Sequence, residues 1–501
     1  MKTNLDPSTE QRFSSRWGFI LSALGIAVGT GNIWRFPRIV AQNGSEDGAG
    51  TFIVIWIGFL FLWSIPLIIG EYALGRKYRR GVHGTFIYAI GKKFAWMGAF
   101  VAFVATAITF FYSVIVGWCI YYFLHMLFRP LPTTLESSMM IWDNYQSGGW
   151  PLLFHALAMG LGALVIWKGI RSIERVNKIL IPSLLVIVIL AVIRALTLEG
   201  AMEGVKYLFT PDWKQIGKPR IWMEALTQNA FDTGAGWGLF LTYAAYMKHK
   251  FGVVKNAFVT GIGNNLVSLM AAIMIFGTAF AVMQSEMSMS RAEILNVLKN
   301  SGPASTGLTF IWMPQLFARM FMGTPLSILF FLGLTFAGFS SLMAQLELPT
   351  RILIDVGMKR SRAIIVIIGI SYLLGIPSAR SLNFLSNQDF VWGLALMLSG
   401  AFVAFMLIKH GIRNLRINEI MKDKSDWRLG KWWEYVIRFI IPLAVIILLV
   451  WWLALAGGVE EWYNPFKAFS LMTCLVQWSL IITILLLLNK YLQWQTPSHK
   501  I

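Results

Sequence analysis

Charge, cysteine and histidine are all scarce in this chain. Of 501 residues only 13% are Asp, Glu, Lys or Arg, while 56% are hydrophobic, a balance far from the roughly 25% charge of soluble domains. The two cysteines, Cys119 and Cys474, offer no pair that argues for a disulfide and fall inside apolar runs, where small buried side chains are expected. Six histidines are present and do not cluster, so a metal or catalytic centre has no support. No Walker loop, HExxH pair or GxSxG elbow occurs, and no nucleophile–base pair stands out. Enzymatic chemistry is therefore not expected.

What fills the chain instead is apolar sequence. Runs long enough to cross a bilayer recur along most of the length and predict an all-α polytopic membrane protein. Twelve spans are expected, near 17–40, 51–75, 96–128, 151–168, 177–196, 222–247, 256–284, 325–350, 363–378, 389–409, 434–456 and 467–489. Basic residues give the orientation: with a cytoplasmic N-terminus, 30 of the 43 Lys and Arg fall in inside loops and tails, as the positive-inside rule requires. Both termini are thus expected in the cytoplasm. The net charge of +19 reads as this topology signal and as a surface for anionic membrane lipid, with no nucleic acid as partner. The first apolar segment is too long and too glycine-interrupted for a cleaved signal peptide. The organisation expected is a tail at 1–16, five spans in 17–196, five more in 222–410, two in 434–489 and a tail at 490–501.

Two spans are interrupted. Span 1 contains Gly25, Gly29 and Gly31. Either Gly25 and Gly29 form a GxxxG packing face, or the helix breaks and its freed backbone groups line a binding cavity. Span 6 contains three glycines between Phe231 and Gly238 and an ionisable residue, Asp232, at mid-membrane. A carboxylate there is costly, so a functional role is its default reading. Breaks in spans 1 and 6 occupy the same place in successive sets of five, the signature of an inverted repeat with a site at its midplane. Tyr112 lies mid-span in span 3, and Ser340, Ser341 and Gln345 share a narrow face of span 8. Segments 197–221 and 285–324 are longer outside connections, the second able to fold as a helical lid.

At AVGTGNIWRFP, FFYSVIVGW, QNAFDTGAGWG, AGFSSLMAQ and DFVWG the chain resembles the neurotransmitter:sodium symporters and is similar to a prokaryotic member, the bacterial leucine transporter. The likeness runs to about residue 410; spans 11 and 12 match only in number and position. It implies a five-plus-five inverted repeat with broken helices 1 and 6, and cotransport of sodium ions with an amino acid, amine or other small zwitterion. By position, one sodium would be held by carbonyls of Gly25, Val28 and Ala337 and hydroxyls of Ser340 and Ser341. The other would use Ala27, Asn32, Asp232 and Asn264. Substrate would meet Ala27, Gly29, Thr30, Gly31, Tyr112 and Phe231, with Ile108, Gly234, Trp237, Ser341 and Gln345 completing the pocket. Gln345 stands where an apolar residue is common, which argues against a plain aliphatic substrate. Arg35 and Asp389 would close the outside, under an aromatic lid of Phe231 or Trp237. Inside, Asp355 and Tyr246 match the family's gate, with Arg12 as the partner for Asp355.

The chain departs from the family at one cluster. Chloride-dependent relatives place an anion beside a helix 2 tyrosine and a helix 6 hydroxyl; here Gln228, Asn264 and Ser268 fit, but Trp56 takes the tyrosine position and Asp232 the hydroxyl position. Asp232 is therefore expected to act as a fixed anion, with no chloride needed. Proton coupling through Asp232 is the alternative, as is a channel or sensor on the same fold. A bacterial inner membrane is the expected location.

Overall fold

A computed structural model describes residues 12–299, 307–456, 458 and 460–493. The outermost parts of both expected tails, and 300–306 within the expected lid, lie outside the described residues. The described chain is helical, with no strand among the described residues. Helix 1 is a bent pair, Arg16–Ala27 and Gly31–Asn43. Helices 2 to 5 follow as Gly50–Tyr78, Lys92–Phe128, Trp150–Trp167 and Ile170–Leu196. Helix 6 is again in two pieces, Pro219–Thr233 and Leu239–Ala244. Helices 7 to 12 are Val254–Ser285, Gly323–Asp355, Arg360–Arg380, Leu382–Ile420, Trp432–Ala454 and Leu471–Leu487. All twelve expected spans thus have a helix. Helix 5 starts about two turns earlier than expected, because its first turns, IRSIERVNK, are polar yet pack into the protein through Ile170, Ile173, Glu174 and Asn177.

The breaks have local causes. In helix 1 the two halves meet at 48°, and Val28 leaves the helix at φ −79°, ψ 94°. Asn32 then substitutes for a helical carbonyl, its Oδ1 accepting the Gly29 N–H at 2.8 Å. In helix 6, Gly234, Gly236 and Gly238 all have positive φ, at 71°, 85° and 79°, a backbone that a Cβ would strain. The Gly236 and Gly238 amides so freed both donate to the Glu71 carboxylate of helix 2, at 3.1 and 2.7 Å. That satisfies donors which lipid could not.

Helix 3 threads the middle of the bundle and packs along helix 8, and both run past the helix 1 break. On the side that the basic residues assign to the outside, Arg291–Lys299 and a helical stretch, Leu308–Ala318, lie within 285–324, where a helical lid is expected, and Leu135–Ser147, from the connection between helices 3 and 4, packs on the second of them to extend this cover. An aromatic cluster of Trp118, Trp142, Phe310 and Tyr122, with centroids 5.0 to 6.5 Å apart, fastens part of that cover to helix 3.

Candidate functional site: two oxygen clusters and a central cavity

Helix 8 carries its hydroxyls against the last turn of the first half of helix 1. Ser340 Oγ lies 2.9 Å from the Ala337 carbonyl and 3.5 Å from that of Val28. Ser341 Oγ lies 3.1 Å from the carbonyls of both Gly25 and Ile26. The carbonyls of Gly25, Val28 and Ala337 and the two hydroxyls therefore converge, and Ile26, not expected from sequence, joins them. Buried hard oxygens with no charged side chain among them suit a small monovalent cation better than a thiol- or imidazole-loving metal.

A second cluster fills the space between helices 1, 6 and 7. Asn32 Nδ2 donates to Asn264 Oδ1 at 2.8 Å and to Ser268 Oγ at 2.7 Å. Asn264 Oδ1 also faces the main-chain oxygens of Ala27 and Asp232 at 3.0 and 3.2 Å. Three oxygens so close repel one another unless an amide proton, from a rotated Asn264, or a cation lies between them. The Asp232 side chain, 3% exposed, borders this cluster: Oδ1 accepts from Gln228 Nε2 at 2.7 Å and Oδ2 from Ser268 Oγ at 3.3 Å. Both donors are neutral, and no Lys or Arg forms an ion pair with Asp232 among the described residues.

Between the clusters lies a cavity of about 20 Å³, lined by Ala27, Gly29, Gly31, Tyr112, Phe231 and Gln345 among others; it has room for about one water. Close packing favours glycine at its wall. A Cβ on Gly29 would sit 2.8 Å from both the Tyr112 and Ser341 hydroxyl oxygens, and one on Gly31 would sit 3.1 Å from the Phe231 ring and Asp232 Oδ1. The Tyr112 hydroxyl accepts the Thr30 N–H at 3.1 Å, a position from which it also faces the cavity. Phe231 and Trp237 meet edge to face at 5.5 Å, and the Arg35 guanidinium lies 4.8 Å above the Phe231 ring. Beyond that aromatic pair a wider cavity of about 180 Å³ holds Arg35, Arg38, Glu224 and Asp389.

The chain matches the model of the sodium:neurotransmitter symporter family over residues 10–146 and 144–496. The chain belongs to the sodium:neurotransmitter symporter family. It is 28% identical to an uncharacterized sodium-dependent transporter of Methanocaldococcus jannaschii, over 96% of this chain and 97% of that one. It is 25% identical to the human sodium- and chloride-dependent taurine transporter, over 96% of this chain and 84% of the relative. The crystal structure of MhsT in complex with L-phenylalanine superposes with a TM-score of 0.76 at 30% identity, covering 88% of this chain and 99% of that one. This symporter is accordingly an integral membrane transporter, not an enzyme, and sodium is its coupling ion.

Read as a symporter, the chain brings most of the residues expected to meet substrate and sodium to the centre. Of the expected substrate residues, Ile108 and Thr30 do not line the cavity: Ile108 is fully buried in helix 3, and Thr30 is buried with its N–H turned to the Tyr112 hydroxyl. Trp56, on helix 2, packs tilted against Phe36 with ring centroids 4.3 Å apart, and its indole N–H is buried without a partner. The residues expected to form gates pair differently from expectation. Arg35 is turned to Gln228, its Nη1 2.5 Å from Oε1, and no ion pair joins it to Asp389 among the described residues. On the other face Arg12 is exposed and is not the partner of Asp355. That carboxylate instead pairs with Arg351 at 3.0 Å and Arg80 at 3.9 Å and accepts the Gly81 N–H at 2.6 Å. Being one helical turn away, Arg351 reaches Asp355 without crossing the gap that Arg12 would have to close. Tyr246 donates to Glu347 at 2.6 Å, and Glu347 also binds Arg360. Glu71, Glu347 and Arg360 were not singled out from the sequence. The signal for Glu71 was the glycine run of helix 6, whose free amides need an acceptor from some neighbouring helix.

Proposed function

We propose that this symporter carries an amino acid or a related amine-bearing zwitterion together with sodium by alternating access, and needs no chloride because Asp232 supplies the anion. The carrying observation is the place of that carboxylate. It touches Ser268, which binds Asn32, so a fixed negative charge stands next to an oxygen cluster suited to a cation. The helix 1 and 8 cluster supports a second sodium. A central cavity between the two supports a solute whose binding is linked to both ions. The relatives named for taurine and serotonin, and the structure with L-phenylalanine, share an amine, which supports this substrate class. The distribution of basic residues supports both termini on the cytoplasmic side, and the relatives from Methanocaldococcus jannaschii and Bacillus subtilis support a prokaryotic cytoplasmic membrane.

The test is uptake into vesicles reconstituted with the purified protein. A panel of amino acids and amines is screened under an inward sodium gradient and in sodium-free buffer, with chloride or gluconate as anion. Accumulation above equilibrium that needs sodium and is equal in the two anions is the expected result. A strict chloride requirement overturns the fixed-anion role. Uptake driven by a pH gradient without sodium assigns proton coupling to Asp232, and flux that never exceeds equilibrium favours a channel.

A further inference from the structure

The central cavity is lined by five polar side chains besides Gln345, and each of the five is engaged by the protein. Asn32 donates to Asn264 and Ser268, and Asp232 accepts from Gln228 and Ser268. Trp237 gives its indole N–H to the Ala230 carbonyl at 3.1 Å. Ser341 donates to helix 1 carbonyls, and the Tyr112 hydroxyl accepts from Thr30. Gln345 differs. It is 3% exposed, lies one turn beyond Ser341 on the same face of helix 8, and borders the cavity. Its Oε1 is buried without a partner, and its Nε2 makes no hydrogen bond among the described residues. Buried amides are almost always paired, and an orphan in such a place calls for a partner from outside the chain.

We propose that Gln345 selects the substrate, which bears a small uncharged hydroxyl or carboxamide on its side chain that hydrogen-bonds this amide. The inference rests on the amino-acid reading above and narrows it. An amide presents a donor and an acceptor together, and hydroxyls and carboxamides answer both, whichever way the amide is turned. At Gln345 a charged side chain would leave water for a neutral amide, an exchange that does not repay its desolvation, and Asp232, the one carboxylate of the lining, is already held by Gln228 and Ser268. An apolar side chain would leave Gln345 unpaired, and sites built to bind a polar group discriminate strongly against analogues that lack it. Size points the same way. The cavity of about 20 Å³ under the Phe231–Trp237 pair opens for a small side chain with less rearrangement than for an aromatic one.

Near-isosteric pairs test this directly: threonine against valine, and asparagine against leucine, as sodium-dependent ligands of the purified protein. The parent should bind the polar member of each pair at least tenfold more tightly, ~1.4 kcal/mol. Gln345→Leu and Gln345→Met should bring both ratios to about one or below. Two variants are used so that one failing to fold, judged by its melting temperature, leaves the other. Equal or tighter binding of valine and leucine by the parent overturns the selection while leaving sodium symport intact. Ratios unchanged in a folded variant also overturn it. Absence of sodium-dependent binding by any amino acid, with binding of another amine, overturns the amino-acid reading and this inference together.

Discussion

Arg35 and Asp232 share one amide: Gln228 accepts from the Arg35 guanidinium through Oε1 and donates to the Asp232 carboxylate through Nε2, at 2.5 and 2.7 Å. The arginine that lies over the aromatic lid is thereby tied to the carboxylate beside the proposed sodium cluster. Gln228→Leu cuts both bonds and leaves Asp232 with Ser268 alone. Sodium-dependent uptake is expected to fall about tenfold or more, while the variant still reaches the membrane in normal amount. Uptake equal to the parent's would show that the tie carries no coupling.

Closure of the outer cavity is expected to need Arg35 and Asp389 in turn. They line the same cavity without pairing, so their attraction is available only when the walls approach. Partly solvated pairs of this kind contribute under ~1 kcal/mol to folding. Arg35→Ala and Asp389→Ala should therefore lower transport severalfold with melting temperatures near the parent's. Parent-like transport by both variants rejects the gate.

The helix 1 and 8 cluster gives a graded expectation. Ser341→Ala removes a hydroxyl from between two buried carbonyls, a loss of ~1 to 3 kcal/mol, whereas the longer of the Ser340 contacts, to Val28, is 3.5 Å. The sodium concentration for half-maximal uptake should rise in both, on the order of tenfold for Ser341→Ala and less for Ser340→Ala. A sodium titration that is unchanged in the two variants removes sodium from this cluster.

Much of this was legible in the sequence, because bilayer physics leaves few options. Long apolar runs had to be helices, the glycines of spans 1 and 6 marked where a helix could break although Gly25 and Gly29 read equally as a packing face, and an intramembrane Asp232 pointed to function. Side-chain pairing was less legible. Asp355 was assigned to Arg12 by position in a family, yet i, i+4 geometry within helix 8 had already supplied Arg351. Glu71 and Glu347 each had an arginine close by on its own helix, Arg76 and Arg351, yet neither pairs with it. Their partners, the helix 6 amides and Arg360 on helix 9, come from elements distant enough in sequence that no local pattern announces them.

Glu347 carries its own expectation, since it is fully buried and bound by Tyr246 and Arg360. Removing one member of such a pair strands the other charge, at ~3 to 5 kcal/mol. Arg360→Ala should lower the melting temperature markedly, and the double variant Arg360→Ala with Glu347→Gln should recover part of the loss. Equal melting by single and double variants would mean that the pair is solvated in the membrane.

Asp232 gives the prediction with the most separate outcomes. A carboxylate ~5 Å from a sodium ion stabilises it by ~3 kcal/mol at an effective dielectric of 20, enough for about a hundredfold in affinity. Asp232→Asn keeps the size and removes the charge, so sodium-driven uptake should be lost. Asp232→Ser removes the charge and opens space beside Gln228 and Ser268, and added chloride should then restore part of the activity. That rescue is limited by Trp56, whose indole is packed on Phe36 and supplies no hydroxyl. Trp56→Tyr combined with Asp232→Ser should improve it. The sign with pH follows from the charge: protonation of Asp232 removes the anion, so the parent's sodium affinity should fall as pH falls, and the chloride-rescued variant should lose that dependence. Uptake in chloride and gluconate between about pH 5.5 and 8.5 reads each outcome. A parent that needs chloride at every pH, or an Asp232→Asn variant with parental sodium affinity, would exclude the carboxylate as the counter-charge to sodium.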